Sequence, residues 1–380
     1  MGITRLSDAT TMGMNAGRFD VTRISSSNLI VTPAITAARS LKLIAWKLDS
    51  SGALSRLSDS GDLGAGAVIT DVASPSDSAS QALCTAFRRT SGELGLMVWG
   101  VNTTNGTFEI ATSGVAGAPV SFLDVEAPAN TLVSIWRNRF GYLRLQSNRL
   151  TALGRVGLAE GEAVSALGHP VLATANDFVT PVMLECGSAL KLISWRVAKD
   201  GSLVRRGDSG DKGRAATRVA LAQIGGVWAT AARVGNDDLS KTTSIGPVLN
   251  GMLRVTFWRH ETSGAFTRLG EKVAMVPVSD VDAAGLDYSD MSFGASKARY
   301  RIVTAARTSS NRLRLMVWSW LPDDSRVTLD SDSGDQPEPI SLLRLISLGT
   351  SRFVTVVRDE TLNKDKVPPR RLKLTSWSIQ

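Results

Sequence analysis

Cysteine, histidine and aromatic residues are scarce in this chain of 380 residues. It has two cysteines, two histidines and three tyrosines, and aromatic residues make up 6% of the sequence. Two cysteines, Cys84 and Cys186, exclude a disulfide framework and a four-cysteine zinc site, and each is expected to lie in a strand as a small apolar residue. Neither histidine, His169 nor His260, falls in a recognisable catalytic triad.

Long apolar runs are also missing from the sequence. No segment approaches the roughly 18 consecutive apolar residues of a membrane-spanning helix, and the first eight residues have neither the basic nor the apolar region of a signal peptide. We therefore expect a soluble chain that is cytoplasmic unless a leader has been removed. An apolar fraction of 43% beside 21% charged residues is typical of a folded globular protein.

The charge of the chain is positive. Lysine and arginine number 43 against 35 aspartates and glutamates, which gives a formal charge of +8 and favours anionic partners. The basic residues are spread along the chain and are not interleaved with aromatic residues, so neither a nucleic-acid nor a membrane partner is expected. We expect a monomer that binds a small molecule or a glycan.

One motif recurs along the chain: leucine, any residue, leucine or valine, two residues, then tryptophan. Complete copies begin at residues 41, 94, 190, 253, 313 and 372, and a degenerate copy begins at Leu143 and has Asn148 in place of tryptophan. The spacings between successive copies are 53, 49, 47, 63, 60 and 59 residues. A strand-like segment that ends in arginine precedes most copies, and a turn and further short strands follow, with no helical periodicity.

This pattern resembles a seven-bladed β-propeller with four-stranded blades over the whole chain. The resemblance implies a single all-β domain, residues 1–380. Ile3–Asp8 matches the fourth strand of the first unit, so residues 1–8 are expected to pair with the blade formed by about 340–380 and to close the ring. The histidine and Trp-Asp signature of WD repeats is missing, and no subfamily is identified.

The sequence Asp-Ser-Gly-Asp occurs three times, at 59–62, 208–211 and 332–335. It looks like the loop around the nucleophile of chymotrypsin-type proteases, but a unique nucleophile is not expected in three copies. We interpret it as a turn held by aspartate-to-backbone hydrogen bonds, with a bound hard cation as the alternative.

The tryptophans are candidates for packing or for ligand stacking. The six motif tryptophans occupy one repeat position and are expected to pack between blades. Trp136, Trp228 and Trp320 lie outside that position, where a ligand platform and a core role both stay open.

An arginine closes the second strand of most units. In a four-stranded blade the loop after the second strand opens on the same face as the loop that leads into the next blade. These arginines are therefore expected beside the Asp-Ser-Gly turns at one mouth of the central channel. They would either pair with the turn carboxylates or form a ring that selects carboxylate, phosphate or sulfate ligands. The residues are Arg39, Arg89 (or Arg88), Arg137, Arg233, Arg307 and Arg358.

Four aspartates near the expected innermost strands are candidate ligands for a divalent cation in the channel. They are Asp20, Asp71, Asp124 and Asp290. A carboxylate that points into the channel suits a metal ion, whereas a slip of one residue in strand register would place it in the blade wall.

Departures from the repeat indicate where a unique site would lie. His169, Glu185 and Arg137 belong to the irregular third and fourth units and are the candidate catalytic residues. Longer segments at Val234–Gly251 and Asp359–Arg371 are expected on the same face.

The sequence therefore predicts a propeller that binds a polar or anionic small molecule or a glycan over the channel mouth. The expected ligand-binding residues are Arg39, Arg137, Glu185, Arg233, Arg307 and Arg358. An enzyme with one active site on that face, and a scaffold for protein partners, are the alternatives. The sequence identifies no ligand, reaction or metal occupancy.

Overall fold

The chain is built almost entirely of β-strands. Its computed structural model describes residues 2–11, 18–24, 27–64, 66–75, 81–128, 131–186, 188–210, 215–234, 251–289, 299–349, 351–361 and 371–380, and the account is confined to these. Helical structure in these ranges is confined to a 3-10 turn at Pro322–Asp324 and to 3-10 geometry at Gly210. Across these ranges there is no helix with the length and apolar character needed to cross a membrane.

The strands follow one another in the order β1 (Ile3–Thr10), β2 (Thr22–Arg23), β3 (Leu29–Ile35), β4 (Leu41–Leu48), β5 (Leu54–Asp59), β6 (Ala67–Ala73), β7 (Ala82–Arg89), β8 (Glu93–Val101), β9 (Phe108–Pro119), β10 (Phe122–Glu126), β11 (Thr131–Arg137), β12 (Tyr142–Arg149) and β13 (Arg155–Leu167). They continue as β14 (Val171–Leu172), β15 (Asp177–Leu184), β16 (Leu190–Val197), β17 (Leu203–Asp208), β18 (Ala216–Ile224), β19 (Val227–Val234), β20 (Met252–His260), β21 (Phe266–Ser289), β22 (Arg299–Thr308), β23 (Arg312–Leu321), β24 (Arg326–Ser347), β25 (Arg352–Asp359) and β26 (Arg371–Ile379).

Consecutive strands pair antiparallel into four-stranded sheets. Strands β2 to β5 form one such sheet and β6 to β9 the next. Farther along, three long strands, β13, β21 and β24, each belong to two sheets. The first part of each pairs with the preceding strand (β12, β20 and β23), and the last part pairs with β15, β22 and β25, respectively. One continuous strand therefore serves as the outer strand of one sheet and the first strand of the next.

The motif tryptophans pack between neighbouring sheets, as predicted. All six are buried, and each belongs to an apolar cluster that joins its own sheet to the preceding one. Five of their indole N–H groups donate to a threonine hydroxyl on the second strand of the same sheet, at 2.9–3.0 Å: Trp46 to Thr32, Trp99 to Thr85, Trp258 to Thr230, Trp318 to Thr304 and Trp377 to Thr355. The motif tryptophan therefore makes a buried hydrogen bond within its own sheet as well as apolar contacts between sheets.

Local hydrogen bonds hold the Asp-Ser-Gly segments: the first two copies begin at the last residue of β5 and of β17, and the third forms a bulge within β24. In the second copy, Asp208 accepts the Gly210 amide at 2.6 Å, and the Ser209 hydroxyl accepts the amide of Leu192 at 3.1 Å. The other two copies repeat both contacts, and the glycine has positive φ in all three. The serine is therefore a structural acceptor, which confirms the turn interpretation.

The first and last strands of the chain lie side by side. Strand β1 pairs antiparallel with β26, from Ile3 opposite Ile379 to Thr10 opposite Lys373. The backbones of Gly2 and Gln380 exchange two hydrogen bonds of 2.9 and 3.0 Å. A single apolar cluster also joins β3 and β4 to β25 and β26.

Candidate functional site

The first strands of the sheets surround a central channel. Two cavities of about 220 and 410 Å³ lie in it, and residues of β6, β10, β18, β21 and β24 line them together with the segments leading into β2 and β14. Both cavities share His169, Asp282 and Arg344, which separate one from the other.

The side chains that divide the channel come from equivalent positions of successive first strands. We call them the channel ring: Asp20, Asp71, Asp124, His169, Asp282 and Arg344. Strand register supports this equivalence. Asp71, Asp124 and Asp282 are paired with Ala86, Ile135 and Ala305 of the second strands, and each of these partners lies two residues before an arginine at the end of its strand. Ala220 of β18 occupies the same position without a polar group.

Backbone hydrogen bonds hold the ring carboxylates in place. Asp20 accepts the amide of Val72 at 3.2 Å, and Asp71 accepts that of Val125 at 2.5 Å. Each aspartate therefore reaches from its own first strand to the next one. Asp282 does the same with the amide of Leu345, at 2.7 Å. These contacts fix the carboxylates and leave one oxygen of Asp20 and of Asp71 facing His169.

His169 lies at the centre of three of these carboxylates. Its Nε2 is 3.1 Å from Asp20 Oδ1 and 3.5 Å from Asp71 Oδ1, and its Nδ1 is 3.4 Å from Asp124 Oδ1. The Arg344 Nε donates to the same Asp20 oxygen at 2.9 Å. Asp20 and Asp71 are 1% and 2% exposed, whereas a quarter of the His169 side chain is open to solvent.

Burial and mutual charge set the protonation of the ring. Burial lowers the pKa of His169, but the charges of Asp71, Asp20 and Asp124 outweigh it and hold that pKa well above its ordinary value. Burial, reinforced by the charge of Asp20, raises the pKa of Asp71. Burial also raises the pKa of Asp124 and of Asp282. The ring therefore retains protons that exposed carboxyls would release.

Asp20 behaves in the opposite way. Burial works to raise its pKa, but His169, a hydrogen bond with Asp71 and the charge of Arg344 together hold the pKa below its ordinary value. On the Arg344 side, burial works to lower the pKa and the charges of Asp20 and Asp282 raise it. Asp20 and Arg344 are therefore a charged pair within the ring.

A third and larger cavity, of about 700 Å³, opens at one mouth of the channel. Its lining includes four arginines, which we call the arginine pocket: Arg18, Arg39, Arg88 and Arg358. Arg18 lines both this cavity and the 220 Å³ channel cavity, so the two lie on the same side of the channel ring. Three of these arginines lie at the ends of second strands, where the repeat predicts them. Arg39 follows β3, and Arg88 and Arg358 are near the ends of β7 and β25.

Positive charge is concentrated around Arg18. Its pKa is lowered by burial and by the like charges of Arg344, Arg218, Arg88 and Arg358. Among the described residues, neither Arg18 nor Arg39 has a side-chain hydrogen bond or an ion pair. Arg88 Nε is likewise a buried donor without a partner in this part of the chain. Arg358 is paired, since its Nε donates to Glu360 Oε1 at 2.8 Å. Arg18 and Arg39, which lack such a partner among the described residues, together with the buried Arg88 Nε, favour a bound anion.

The other arginines that close second strands make structural contacts. Arg233 Nε donates to the carbonyl of Val278 at 2.8 Å, and Arg307 Nη1 donates to that of Ser341 at 2.5 Å. Both acceptors lie on the first strand of the next sheet. The Asp-Ser-Gly carboxylates pair instead with basic residues of the motif strands: Lys42 with Asp59, Lys191 with Asp208 and Arg314 with Asp332. The expected pairing between these two elements is therefore replaced by contacts within and between sheets.

The structure separates the three candidate catalytic residues. Arg137 and Glu185 approach each other to 3.8 Å, whereas His169 pairs with the channel aspartates. Trp136, Trp228 and Trp320 are all buried in the apolar clusters, so they offer no ligand platform. Cys84 is buried in β7, as expected, but Cys186 is exposed in a turn after β15, because the second strand ends at Leu184.

Some predicted features lie outside the described residues. These are Asp290 and most of the two longer segments, at 235–250 and 362–370. Asp282 holds the position in the channel ring that we had assigned to Asp290. Sequence reasoning also missed Arg344 and Arg18. The pairs Asp20-Val21, Asp71-Val72 and Asp124-Val125 share an Asp-Val pattern whose match in β21 is Asp280-Val281, so the pattern leads to within two residues of Asp282 but does not select it.

The fold is similar to that of known β-propellers. U3-55K, a WD40 β-propeller protein, superposes with a TM-score of 0.60 at 14% identity over 98% of both chains. This likeness, with the antiparallel sheets, shows that the chain has an all-β propeller fold. No protein-family model matches the chain, and no curated protein matches it in sequence.

Two further structures are more distant. AofleA of Arthrobotrys oligospora gives a TM-score of 0.48 at 11% identity over 85% of this chain and 89% of that chain. Sqt1 of Saccharomyces cerevisiae gives 0.47 at 8% identity over 98% and 99%.

Proposed function

We propose that the chain is a closed seven-bladed propeller that binds an anionic ligand at the arginine pocket. The seven copies of the leucine–tryptophan motif support the blade number. The β1–β26 pairing and the apolar cluster between the first and last sheets support the closure. In a closed ring, Arg358 of β25 comes next to Arg18 and Arg39, which precede and follow β3, and this places arginines of both ends of the chain in one pocket.

The observation that carries the functional proposal is the environment of Arg18. Its neighbours are like charges, and it has no carboxylate partner among the described residues. Gathering like charges around a guanidinium without a carboxylate partner costs free energy in the free protein, and an anion with phosphate, sulfate or carboxylate groups would offset that cost. A neutral glycan would be stacked on aromatic rings, and the tryptophans considered for that role are buried.

The proposal is tested by titrating the full chain with tripolyphosphate in an isothermal calorimeter, with EDTA present to exclude metal ions. We expect one site whose affinity falls as NaCl rises from 50 to 300 mM, because exposed charges are screened. Arg18→Ala should weaken binding by about tenfold or more, since hydrogen bonds between charged groups are worth about 1.5–3 kcal/mol.

Arg23→Ala is the matched control. Arg23 lines the 410 Å³ cavity beyond the channel ring, so the variant has the same net charge as Arg18→Ala but keeps the arginine pocket. Its affinity should stay within about twofold of the parent. Equal losses in the two variants would point to a non-specific effect of net charge, and an affinity that does not change with salt would contradict an anion site.

A further inference from the structure

The three atoms that face one another at the channel ring have the spacing of metal ligands. His169, Asp20 and Asp71 each offer one ligand atom, and these three atoms lie within 4.8 Å of one another. His169 Nε2 is 3.1 Å from Asp20 Oδ1 and 3.5 Å from Asp71 Oδ1. Ligands 2.0–2.1 Å from a tetrahedral zinc ion are about 3.3–3.4 Å apart. The cluster therefore needs little rearrangement to hold an ion of that size.

The other nitrogen of the same imidazole faces a third carboxylate of the channel ring. His169 Nδ1 lies 3.4 Å from Asp124 Oδ1. A carboxylate that accepts the Nδ1 proton fixes the tautomer in which Nε2 carries a lone pair, and this arrangement recurs behind histidines that bind zinc. Asp124 would act here as a positioning residue, not as a ligand.

Charge balance gives an independent reason for a cation. Four ring carboxylates, those of Asp20, Asp71, Asp124 and Asp282, gather around Arg344, which is the single permanent cation of the ring. Arg344 pairs directly with Asp20. Burying the other three carboxyls is costly unless each is neutralised by a proton or by a cation. A divalent cation would compensate two of them.

We propose that Asp20, Asp71 and His169 bind one divalent transition-metal ion of the zinc class in the central channel. The imidazole ligand and the short spacing favour zinc over calcium, which takes six to eight oxygens at 2.3–2.6 Å. The ion can enter because His169 borders both channel cavities, and a fourth position remains for water or an exogenous ligand. This inference does not depend on the arginine pocket.

The competing arrangement has no metal. His169 would be a doubly protonated imidazolium that pairs with the three carboxylates. The two arrangements differ in the occupancy of Nε2, by a metal ion in one and by a proton in the other, and a direct binding measurement separates them.

The test uses the full chain without a histidine tag, stripped with EDTA and dialysed, and titrated with Zn²⁺ at pH 7.5. We expect one equivalent to bind. Asp124→Asn should weaken affinity about 10–100-fold, as outer-sphere changes do. Co²⁺ in place of Zn²⁺ should give the visible absorption bands of a tetrahedral site. Circular dichroism melts of every variant show whether a loss of binding reflects unfolding.

His169→Gln should abolish the site, and His260→Gln is its matched control. His260 is the other histidine of the chain and lies at the end of β20, 3.1 Å from the Ser194 hydroxyl. A wild-type chain that is folded but binds no Zn²⁺, or binding that is unchanged in His169→Gln, would overturn the proposal. If His169→Gln does not fold, X-ray absorption of the zinc-loaded wild type decides: the proposal requires one imidazole nitrogen and no sulfur.

Discussion

A buried threonine–tryptophan hydrogen bond recurs in five of the six sheets that have the motif tryptophan, and the sixth lacks it. In the sheet of β15 and β16, Trp195 Nε1 and the Thr180 hydroxyl are both buried without a partner among the described residues. The same two residue types therefore occur with and without the bond in one molecule. This contrast allows its contribution to be measured against an internal reference.

Thr304→Val removes the acceptor of the Trp318 indole. A buried N–H without a partner costs about 1–3 kcal/mol, so the free energy of unfolding should fall by that amount in chemical denaturation. Thr180→Val is the control and should be nearly neutral, because no hydrogen bond is lost and an apolar methyl replaces an unsatisfied hydroxyl. Equal losses in both variants would show that the threonines act through shape alone.

His260 should make stability depend on pH. Burial lowers its pKa, as does the charge of Arg206, against the opposing charges of Asp177 and Glu261. A histidine whose folded pKa lies below the unfolded value of about 6.5 binds fewer protons in the folded state, so its contribution is present above pH 6.5 and is lost as the pH falls through the folded pKa.

We therefore expect His260→Gln to lose less stability than the wild type between pH 7 and pH 5 in urea denaturation. At pH 7.5 the ionisation of His260 contributes nothing to the difference between the two proteins. A parallel pH dependence in both would mean that His260 titrates alike in the folded and unfolded chains.

At the level of elements, glycines allow the first strands to approach one another closely. A Cβ at Gly285 of β21 would lie 2.1 Å from the carbonyl oxygen of Gln223 in β18, and one at Gly168 would lie 2.4 Å from the carbonyl of Val219. Both obstacles are backbone atoms, which cannot rotate away. The spacing of the strands around the channel therefore depends on the absence of these side chains.

Gly285→Ala should lower the free energy of unfolding by about 1–3 kcal/mol or more, as overpacking does. Gly100→Ala in β8 is the matched control, since its Cβ would meet nothing closer than 4.0 Å. Thermal melts of the two variants would check this. A tolerated Gly285→Ala would show that the strands can move apart.

The strand repeat was predictable from the sequence because each element is encoded locally. Leucine alternation recurs in all seven units, the packed tryptophan in six and the Asp-Ser-Gly segment in three, and the structure places them as the repeat predicts. The channel ring was harder to predict, since several aspartates lie close together in this part of the sequence and Asp290 is eight residues beyond Asp282. The arginine pocket was harder still, because Arg18 and Arg358 are far apart in the chain and meet only through the pairing of its two ends.

At the level of the whole molecule, strand β1 completes the last sheet. Deletion of residues 1–8 should leave β26 with an unpaired edge, so we expect a lower melting temperature and aggregation. Calorimetry and size-exclusion chromatography with light scattering would measure both. A synthetic peptide of residues 2–10, added to the truncated chain, should restore part of the melting temperature. A truncated protein that stays monodisperse with an unchanged melting temperature would contradict the closed ring.

The hydrogen-bonded backbones of Gly2 and Gln380 also make the chain a candidate for circular permutation. Because the two residues are neighbours in space, a linker of a few residues could join them without strain, and new termini could be opened elsewhere. The exposed link between β5 and β6, at 61–64, is one such place because it joins two sheets. The new termini would then fall between sheets, and the sheet that now depends on both ends would be contiguous in sequence. Such a permutant should fold faster if the pairing of β1 with β26 is the slow step in this chain, because that pairing has the largest loop to close.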